Sequence, residues 1–390
     1  METSFIYHLP TKVYFGPNQL QHLKSEVTKY GKRILLIYNG QYVKDSGLYQ
    51  QVIEQLSDFT VVEYTNIKSN PRHTDINEAI ILCKNNQIDV LLTIGGGSAI
   101  DSAKAIGIGY YYEGDVWDLV LEPSKITGCL PIITILTIAA TGSEMDAGAV
   151  ISNKMANEKI AFKYSEMLPK VSFMDPTLTF SVNSYQTACG CVDILSHILE
   201  SYFSPNESLH MLDAIMESLV RTVISYGPIA YHNPSNYEAR ANLMWCASWA
   251  INDFIRSDKK HKWSMHPIEH ELSAFYDITH GLGLAIVMPR WLRFVAKQKD
   301  LLKFKQLAIH CFGVGDYLKG EEYAEIVISK IEDYCYNLLG LPMNLSQLKI
   351  DDSHFEVMAD KLTDNTGCYQ GGYVKLYKSD ILKILNDCLY

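Results

Sequence analysis

Three histidines fall close together in the segment 266–281, which reads H-P-I-E-H-E-L-S-A-F-Y-D-I-T-H-G. Pro267 suits the first turn of a helix, because the first N–H groups of a helix have no acceptor within it. Such a helix places His266 and His270 one turn apart on the same side, and His280 follows in a turn that two glycines ease. Imidazoles bind metals and carry protons near neutral pH, so the cluster predicts a metal or proton-transfer site. Surface histidines, or core histidines held by hydrogen bonds, are the alternative.

A second half-site lies in the segment 189–202, C-G-C-V-D-I-L-S-H-I-L-E-S-Y, where Asp193 and His197 are four residues apart. This spacing puts both side chains on one face of a helix, and the apolar neighbours predict that the helix is buried. A buried carboxylate is costly unless it is paired or binds a metal, although an Asp–His hydrogen bond in a core helix would also explain the fragment. Together with His266 and His280, the pair offers one carboxylate and three imidazoles, a set that suits Fe(II), Zn(II) or another divalent transition ion.

The length and composition indicate a globular protein of two domains. The chain has 390 residues with 47% hydrophobic and 20% charged residues. Its 34 basic and 44 acidic residues give a net charge of −10, which argues against a nucleic-acid partner. No signal peptide and no run of eighteen apolar residues is visible, so we expect neither export nor a membrane partner. Nine cysteines at irregular spacing favour reduced thiols in the cytoplasm over a disulfide framework.

The first part of the chain alternates apolar strand patterns with helical ones, as in α/β proteins with parallel sheets. Strands are predicted at 33–38, 59–64, 88–94, 131–138 and 171–176, with helices at 45–56 and 74–86. Beyond about residue 180 the periodicity is helical almost throughout. Helices are predicted there at 184–203, 208–226, 236–254, 267–276, 290–297, 301–311, 320–338 and 379–389. These patterns predict an α/β domain at 1–180 and an all-α domain at 181–390.

Two small-residue loops follow predicted strands of the first domain. Residues 95–98, G-G-G-S, lie between a buried strand and a helix, so backbone N–H groups and the helix dipole can meet a phosphate there. A tight turn is the alternative, since the segment is not G-x-G-x-x-G. Residues 139–144, A-A-T-G-S-E, leave similar room for a ligand, or form an ordinary loop. Lys104, on the helix after the first loop, is expected to be a solvated charge.

Five motifs occur together in the order of a known family: N-P-R at 70–72, G-G-G-S-A-I-D-S-A-K at 95–104, T-I-A-A-T-G-S-E at 137–144, D-I-L-S-H at 193–197, and the histidine segment 266–281. On these motifs the chain resembles the iron-containing (group III) alcohol dehydrogenases, closest to their butanol dehydrogenase-like branch. The resemblance covers nearly the whole chain. The two metal half-sites together make it specific, whereas G-G-G-S alone would not.

The resemblance implies a Rossmann-like dinucleotide domain, a helical metal domain of the dehydroquinate synthase-like plan, and an active site in the cleft between them. The four metal-ligand positions fall on Asp193, His197, His266 and His280, and the histidine near the substrate falls on His270. The family's cofactor-binding positions fall on Asn39, Gly40, Asn70, Gly96, Gly97, Ser98, Asp101, Thr137, Thr141 and Lys159.

One segment departs from this branch. In members of this branch, the segment that follows the first strand is usually glycine-rich and ends in serine. In this chain the same segment reads N-G-Q-Y at 39–42. Asn39 neither repels a 2′-phosphate as aspartate would nor attracts one as arginine would. The choice between NADP and NAD therefore stays open at this point.

The resemblance implies a metal-dependent, NAD(P)-linked alcohol dehydrogenase or aldehyde reductase that transfers hydride between nicotinamide C4 and a short-chain primary alcohol or aldehyde. Fe(II) is the expected metal, with Zn(II) as the alternative, and His270 is the expected proton carrier. The partners expected are the small-molecule substrate and a second copy in a homodimer. A metal-dependent lyase or synthase of the dehydroquinate synthase type is the alternative, and a metallohydrolase is less favoured because it would not need the phosphate loop.

Overall fold

In a computed structural model of the protein, the structure describes residues 4–204, 209–257, 262–298, 301–364, 366–369 and 371–390. The chain forms two compact units. The first comprises His8–Val182 and Pro234–Asn252; the second comprises Asn183–Asn233 and Asp253–Tyr390, together with the described residues before His8. The predicted division into domains at 1–180 and 181–390 stays a prediction. It differs from these two units because residues 234–252 are here part of the first unit.

The described residues contain ten strands and fifteen α-helices. The strands are β1 (Lys12–Phe15), β2 (Arg33–Tyr38), β3 (Thr60–Tyr64), β4 (Val90–Gly95), β5 (Ile132–Leu136), β6 (Gly148–Asn153), β7 (Glu158–Lys163), β8 (Val171–Met174), β9 (Cys368–Tyr369) and β10 (Leu376–Tyr377). The helices are α1 (Leu23–Val27), α2 (Tyr42–Asp45), α3 (Leu48–Gln55), α4 (His73–Asn85), α5 (Gly97–Gly109), α6 (Val116–Leu121), α7 (Ser184–Tyr202), α8 (His210–His232), α9 (Tyr237–Ile251), α10 (Met265–Tyr276), α11 (His280–Gln298), α12 (Leu302–Phe312), α13 (Gly320–Glu332), α14 (Phe355–Leu362) and α15 (Lys378–Asp387).

The first unit is built on a parallel sheet with the strand order β1-β8-β5-β4-β2-β3. Its central strands are in register from Ile34 opposite Val90 and from Leu91 opposite Ile132. β4 and β5 are buried along their whole length, as expected for strands that are covered on both faces. The predicted α/β fold of this part of the chain is confirmed.

Successive side chains of the central strands point to opposite faces of the sheet, and they contribute to two apolar cores, one on each face. One core contains Leu35, Ile37 and Leu91 and is covered by α4, α5 and α6. The other contains Ile34, Leu36 and Leu92 and is covered by α1 and α3. The strand that carries the G-G-G-S loop is therefore fixed from both sides.

Several elements of the first unit were not predicted from the sequence. The antiparallel hairpin of β6 and β7 follows the small-residue loop, with Ala149 opposite Phe162. β1, at the edge of the sheet, is only four residues long and pairs with β8, so its pattern is too short to be distinctive. The hairpin is half-buried and interrupted by polar residues, which masks the two-residue alternation of a strand.

The second unit is helical, as predicted, and α7 packs against α8 and α11. The prediction for α11 is wrong in its start: the sequence favoured 290–297, whereas the helix runs from His280 to Gln298 and has Pro289 inside it. His280 is thus the first residue of a long helix. Among the described residues, no helix combines the length and hydropathy needed to cross a membrane.

Candidate active site

The helix α7 positions the first two site residues. Its start is capped by Asn183, whose side-chain oxygen accepts a hydrogen bond from the backbone N–H of Gln186 at 2.8 Å. All residues from Thr187 to Tyr202 are buried, so Asp193 and His197 project from a helix without a solvent face. Within this helix, His197 Nε2 lies 3.6 Å from Asp193 Oδ1.

The histidine segment meets α7 at Asp193. One donor atom each from Asp193, His266 and His280 lie within 4.8 Å of one another, and His280 Nε2 is 3.6 Å from Asp193 Oδ1. Close approach of α11 to α7 requires Gly281, because a Cβ there would lie 2.1 Å from the carbonyl oxygen of Cys189. The prediction that this glycine eases a turn is therefore wrong, since it is a helix-packing residue.

Two buried glutamates orient the imidazoles. His266 Nδ1 is 2.8 Å from Glu200 Oε2, and His280 Nδ1 contacts Glu269 Oε2. Because a carboxylate only accepts hydrogen bonds, each Nδ1 carries the hydrogen and each Nε2 is left with its lone pair. In His280 this nitrogen lies 3.6 Å from Asp193 Oδ1, so it is placed to bind a metal ion together with that carboxylate.

His197 completes the predicted set from the side. Its ring stacks on His266, with centroids 4.8 Å apart and an interplanar angle of 6°, and on Trp263 at 5.3 Å. Burial and the neighbouring His266 and His280 hold the pKa of His197 well below its ordinary value, so it is a neutral donor. One carboxylate and three imidazoles fit a divalent transition ion, although the group within 4.8 Å includes only three of the four predicted ligands.

His270 lies beside the three donor residues, half-buried on the same helix as His266. Its ring centroid is 5.4 Å from that of His280 and 6.3 Å from that of His266. A ring atom of His270 also lies within 4.8 Å of donor atoms of Glu269 and His280. This position suits a residue that handles protons next to a metal centre rather than one that belongs to the Asp193 group.

In the first unit, the G-G-G-S loop forms the start of α5. Gly96 is the N-cap, and no side chain of the described residues caps the helix from that position, so its first N–H groups, including that of Ser98, point beyond the helix. A Cβ at Gly96 would lie 2.0 Å from Ile138, and one at Gly97 would lie 2.5 Å from Thr141. Two of the predicted cofactor-binding loops are therefore packed against each other at the ends of β4 and β5, where a phosphate suits the helix dipole.

Behind this loop lies a buried polar network. The Asp101 carboxylate accepts hydrogen bonds from Ser143 Oγ at 2.7 Å and from the N–H of Val150 at 3.0 Å, and burial raises its pKa. Lys104 is fully buried and donates to Ser143 Oγ and to the carbonyl of Gly148, both at 2.7 Å. The expectation that Lys104 is a solvated charge is wrong, because Lys104 and Asp101 together fasten the small-residue loop and the hairpin to α5.

The segment 39–42 also meets the loop after β5. The hydroxyl of Tyr42 is 2.8 Å from that of Thr137, and the N–H of Thr137 donates to the carbonyl of Gly95 at 3.1 Å. Asn39 is exposed, and its amide donates to the carbonyl of Ile67. Gly40 has a φ of 92°, which favours glycine, and brings Tyr42 back toward the sheet.

Asn70 and Lys159 lie at a different part of the first unit. Asn70 is buried and has a φ of 52°, a left-handed conformation that asparagine tolerates. The turn that follows it is joined to β6, where the N–H of Ser152 donates to the carbonyl of Pro71 at 2.7 Å. Lys159, on β7, is the partner of Ser152 in the hairpin. The structure thus brings Asn70 and Lys159 to the same hairpin.

Glu200 and Glu269 were missed as site residues by reasoning from the sequence. A signal was present, because Glu200 lies seven residues after Asp193 on an apolar helix and Glu269 lies inside the histidine segment. A carboxylate on the buried side of such a helix needs partners. The sequence does not show that these partners are the Nδ1 atoms of histidines on another helix.

Comparison with known families gives matches over both parts of the chain. The model described as iron-containing alcohol dehydrogenase matches residues 10–176. The model of the Fe-containing alcohol dehydrogenase family, C-terminal, matches residues 187–389.

Curated relatives and a solved structure agree with these matches. The chain is 44% identical to NADH-dependent butanol dehydrogenase A of Clostridium acetobutylicum over 98% of both chains. It is 31% identical to an NADPH-dependent aldehyde reductase of Escherichia coli over 93% of both. The crystal structure of NADH-dependent butanol dehydrogenase A from Thermotoga maritima superimposes with a TM-score of 0.93 at 34% identity, covering 100% of this chain and 99% of that one.

Proposed function

The chain belongs to the iron-containing alcohol dehydrogenase family, and from this premise we propose that it interconverts a short-chain primary alcohol and its aldehyde, with butanol and butanal as model substrates. The predicted family and the predicted NAD(P)-linked alcohol dehydrogenase or aldehyde reductase activity are confirmed. The relatives do not favour the lyase or synthase alternative. The carrying observation is the convergence of donor atoms from Asp193, His266 and His280 within 4.8 Å.

The proposed metal ligands are Asp193, His197, His266 and His280. A bound divalent ion, Fe(II) in the first place, would polarise the oxygen of the substrate, and the bound nicotinamide would exchange the hydride. Asp193 supplies the anionic donor, which offsets part of the charge of a divalent cation. The imidazoles supply nitrogen lone pairs, which suit a divalent transition ion.

His270 is proposed as the group that moves a proton between substrate and solvent. It lies half-buried beside His280, and an imidazole both accepts and donates protons near neutral pH. We expect His270→Ala to keep the metal and to lower turnover by a factor of about 10² to 10⁴, the contribution typical of acid–base catalysis. Loss of the metal from this variant would instead make His270 a ligand.

For the nucleotide we propose NADH in preference to NADPH. The segment Asn39–Tyr42 carries no charged side chain, so it lacks the cation that would attract a 2′-phosphate. The relatives with the higher identities reported above are NADH-dependent by name. The pyrophosphate would lie at the start of α5, over Gly96, Gly97 and Ser98.

The test is oxidation of the nucleotide, followed at 340 nm, with butanal and either NADH or NADPH. The protein is first stripped of metal and then loaded with Fe(II) or Zn(II). We expect metal-dependent oxidation that is faster with NADH. A folded protein that binds the ion and oxidises neither nucleotide would contradict the proposal, and His280→Ala should lose metal and activity together.

The homodimer and the cytoplasmic location remain proposals that derive from the resemblance and the cysteine pattern. All nine cysteines lie in the described residues, and none of them forms a disulfide. This pattern agrees with a reducing environment. Sedimentation analysis of the purified protein tests the dimer directly.

A further inference from the structure

Glu200 is placed so that it acts on both halves of the metal site. It lies on α7 seven residues after Asp193 and three after His197, which puts the three side chains on one side of the helix. Its side chain is 2% exposed. A carboxylate buried to this degree is stable only when several donors surround it.

The donors come from the start of α10. Glu200 accepts hydrogen bonds from the backbone N–H groups of Met265 at 2.7 Å and His266 at 3.0 Å, and from that of Ser264. Ser264 occupies the N-cap position but its own side chain does not cap the helix. A side chain from α7 therefore takes the capping role, where a negative charge is also favoured by the helix dipole.

The same carboxylate holds the imidazole of His266, whose Nδ1 is 2.8 Å from Oε2. The backbone bonds fix where α10 begins, and the Nδ1 bond fixes the rotation of the ring and its tautomer. Glu200 thus ties the half-site of α7 to the half-site of α10 through one group.

Glu269 does the equivalent for the remaining histidine. Its side chain is fully buried and bonds to His280 Nδ1 and to the hydroxyl of Ser273. Gly283 makes room for it, because a Cβ there would lie 2.7 Å from Oε1 of Glu269. The side chain of Glu269 therefore extends from α10 to the first turn of α11, which contains His280.

We propose that Glu200 and Glu269 are positioning residues that set the metal affinity of the site by fixing the imidazole rings of His266 and His280 beside Asp193. The inference rests on the proposed function, because it concerns the same metal site. Glu200, Glu269 and Asp193 are three acidic side chains around the donor atoms, and carboxylates attract a divalent cation. Replacing either glutamate therefore weakens the site in two ways. It loosens the orientation of a histidine, and it removes a carboxylate that attracts the cation.

The experiment measures Zn²⁺ affinity by competition with a coloured chelator on metal-free protein, so it does not depend on activity. The variants are Glu200→Gln and Glu269→Gln, which keep the shape of the side chain and remove its charge. The matched control is Glu217→Gln. Glu217 is also buried and also has a histidine Nδ1, that of His310, at 2.8 Å from Oε2, but its partners, His310 and the hydroxyl of Tyr202, are not among the proposed ligands. We expect both site variants to bind Zn²⁺ about 10–100-fold more weakly, and the control to bind as wild type does.

Thermal unfolding of the metal-free proteins separates positioning from folding. Glu200→Gln loses the charged cap of α10 and is the variant at risk of unfolding, so Glu269→Gln decides the inference if that occurs. A Glu269→Gln protein that is destabilised but binds Zn²⁺ with wild-type affinity has a structural glutamate only, and this overturns the proposal. Wild-type protein that binds no Zn²⁺ or Fe²⁺ overturns the proposed metal site itself, which is a different result.

Discussion

The proline inside α11 leads to a prediction about the stability of the helical unit. Pro289 has no N–H, so the carbonyl of Ala285, one turn earlier, lacks its helical donor. The hydroxyl of Tyr336 replaces that donor at 2.9 Å, and Tyr336 in turn accepts a bond from the guanidinium of Arg290 at 2.6 Å. Burial raises the pKa of Tyr336, so its hydroxyl keeps the hydrogen that it donates.

The variant Tyr336→Phe keeps the ring and removes both of these bonds. A buried carbonyl left without a donor costs about 1–3 kcal/mol, and the loss of an acceptor for the charged Arg290 adds to it. Part of this cost is offset because Arg290 also donates to the carbonyl of Ile286 at 3.3 Å and to that of Asp387 at 3.1 Å. We therefore expect a net loss of about 2 kcal/mol in the free energy of unfolding.

The assay is thermal unfolding of metal-free protein. For a unit of this size, each kcal/mol lowers the midpoint by about 2–4 °C, so the expected shift is about 4–8 °C. Tyr317→Phe is the control, because Tyr317 is 80% exposed. A Tyr336→Phe midpoint equal to that of the control would refute the reasoning that Tyr336 completes the helix at Pro289. Zn²⁺ affinity should not change, which is the reverse of the pattern expected for Glu269→Gln.

Two further predictions concern the first unit. Gly97→Ala places a Cβ 2.5 Å from Thr141, and strain of about 1–3 kcal/mol should shift the loop. We expect the KM for NADH to rise about tenfold while the metal content stays unchanged. An unchanged KM would show that the loop does not hold the nucleotide. Burial raises the pKa of Glu26, but hydrogen bonds from Lys12, a second lysine and a tyrosine lower it to about 2, below its ordinary 4.5. The stabilisation by Glu26 is therefore full above about pH 5 and is lost as the pH falls toward 2. Glu26→Gln should lower the free energy of unfolding by about 1 kcal/mol at pH 7 and by less near pH 3.5. An equal loss at both pH values would contradict the assignment.

Regular periodicity accounts for the parts of the site that the sequence predicted. Asp193 and His197 share a face because any helix brings residues four apart together, and the apolar neighbours ensured that this face is buried. The strand before the G-G-G-S loop was identified because a run of apolar residues in an α/β pattern belongs in the middle of a parallel sheet. These predictions depend on residues that are close in the chain.

Contacts between distant segments were beyond the reach of the same reasoning. Lys104 reads as a solvated charge until Ser143 and the carbonyl of Gly148 are known to surround its ammonium group. Nothing local shows that Pro289 is tolerated inside a helix, because the compensating hydroxyl of Tyr336 lies 47 residues later in the sequence. The sequence therefore predicted a helix that begins after the proline.

The same limit explains why the sequence predicted the proposed ligands but not the residues that orient them. A ligand is recognised by its type, since imidazole and carboxylate groups are few in a buried helix. An orienting glutamate is recognised only by its partner, and Glu200 and Glu269 meet theirs across helix pairs. Glu200 lies seven residues after Asp193, and Glu269 lies three residues after His266. If metal affinity depends on these two carboxylates, then these two spacings are features that can be sought in a sequence.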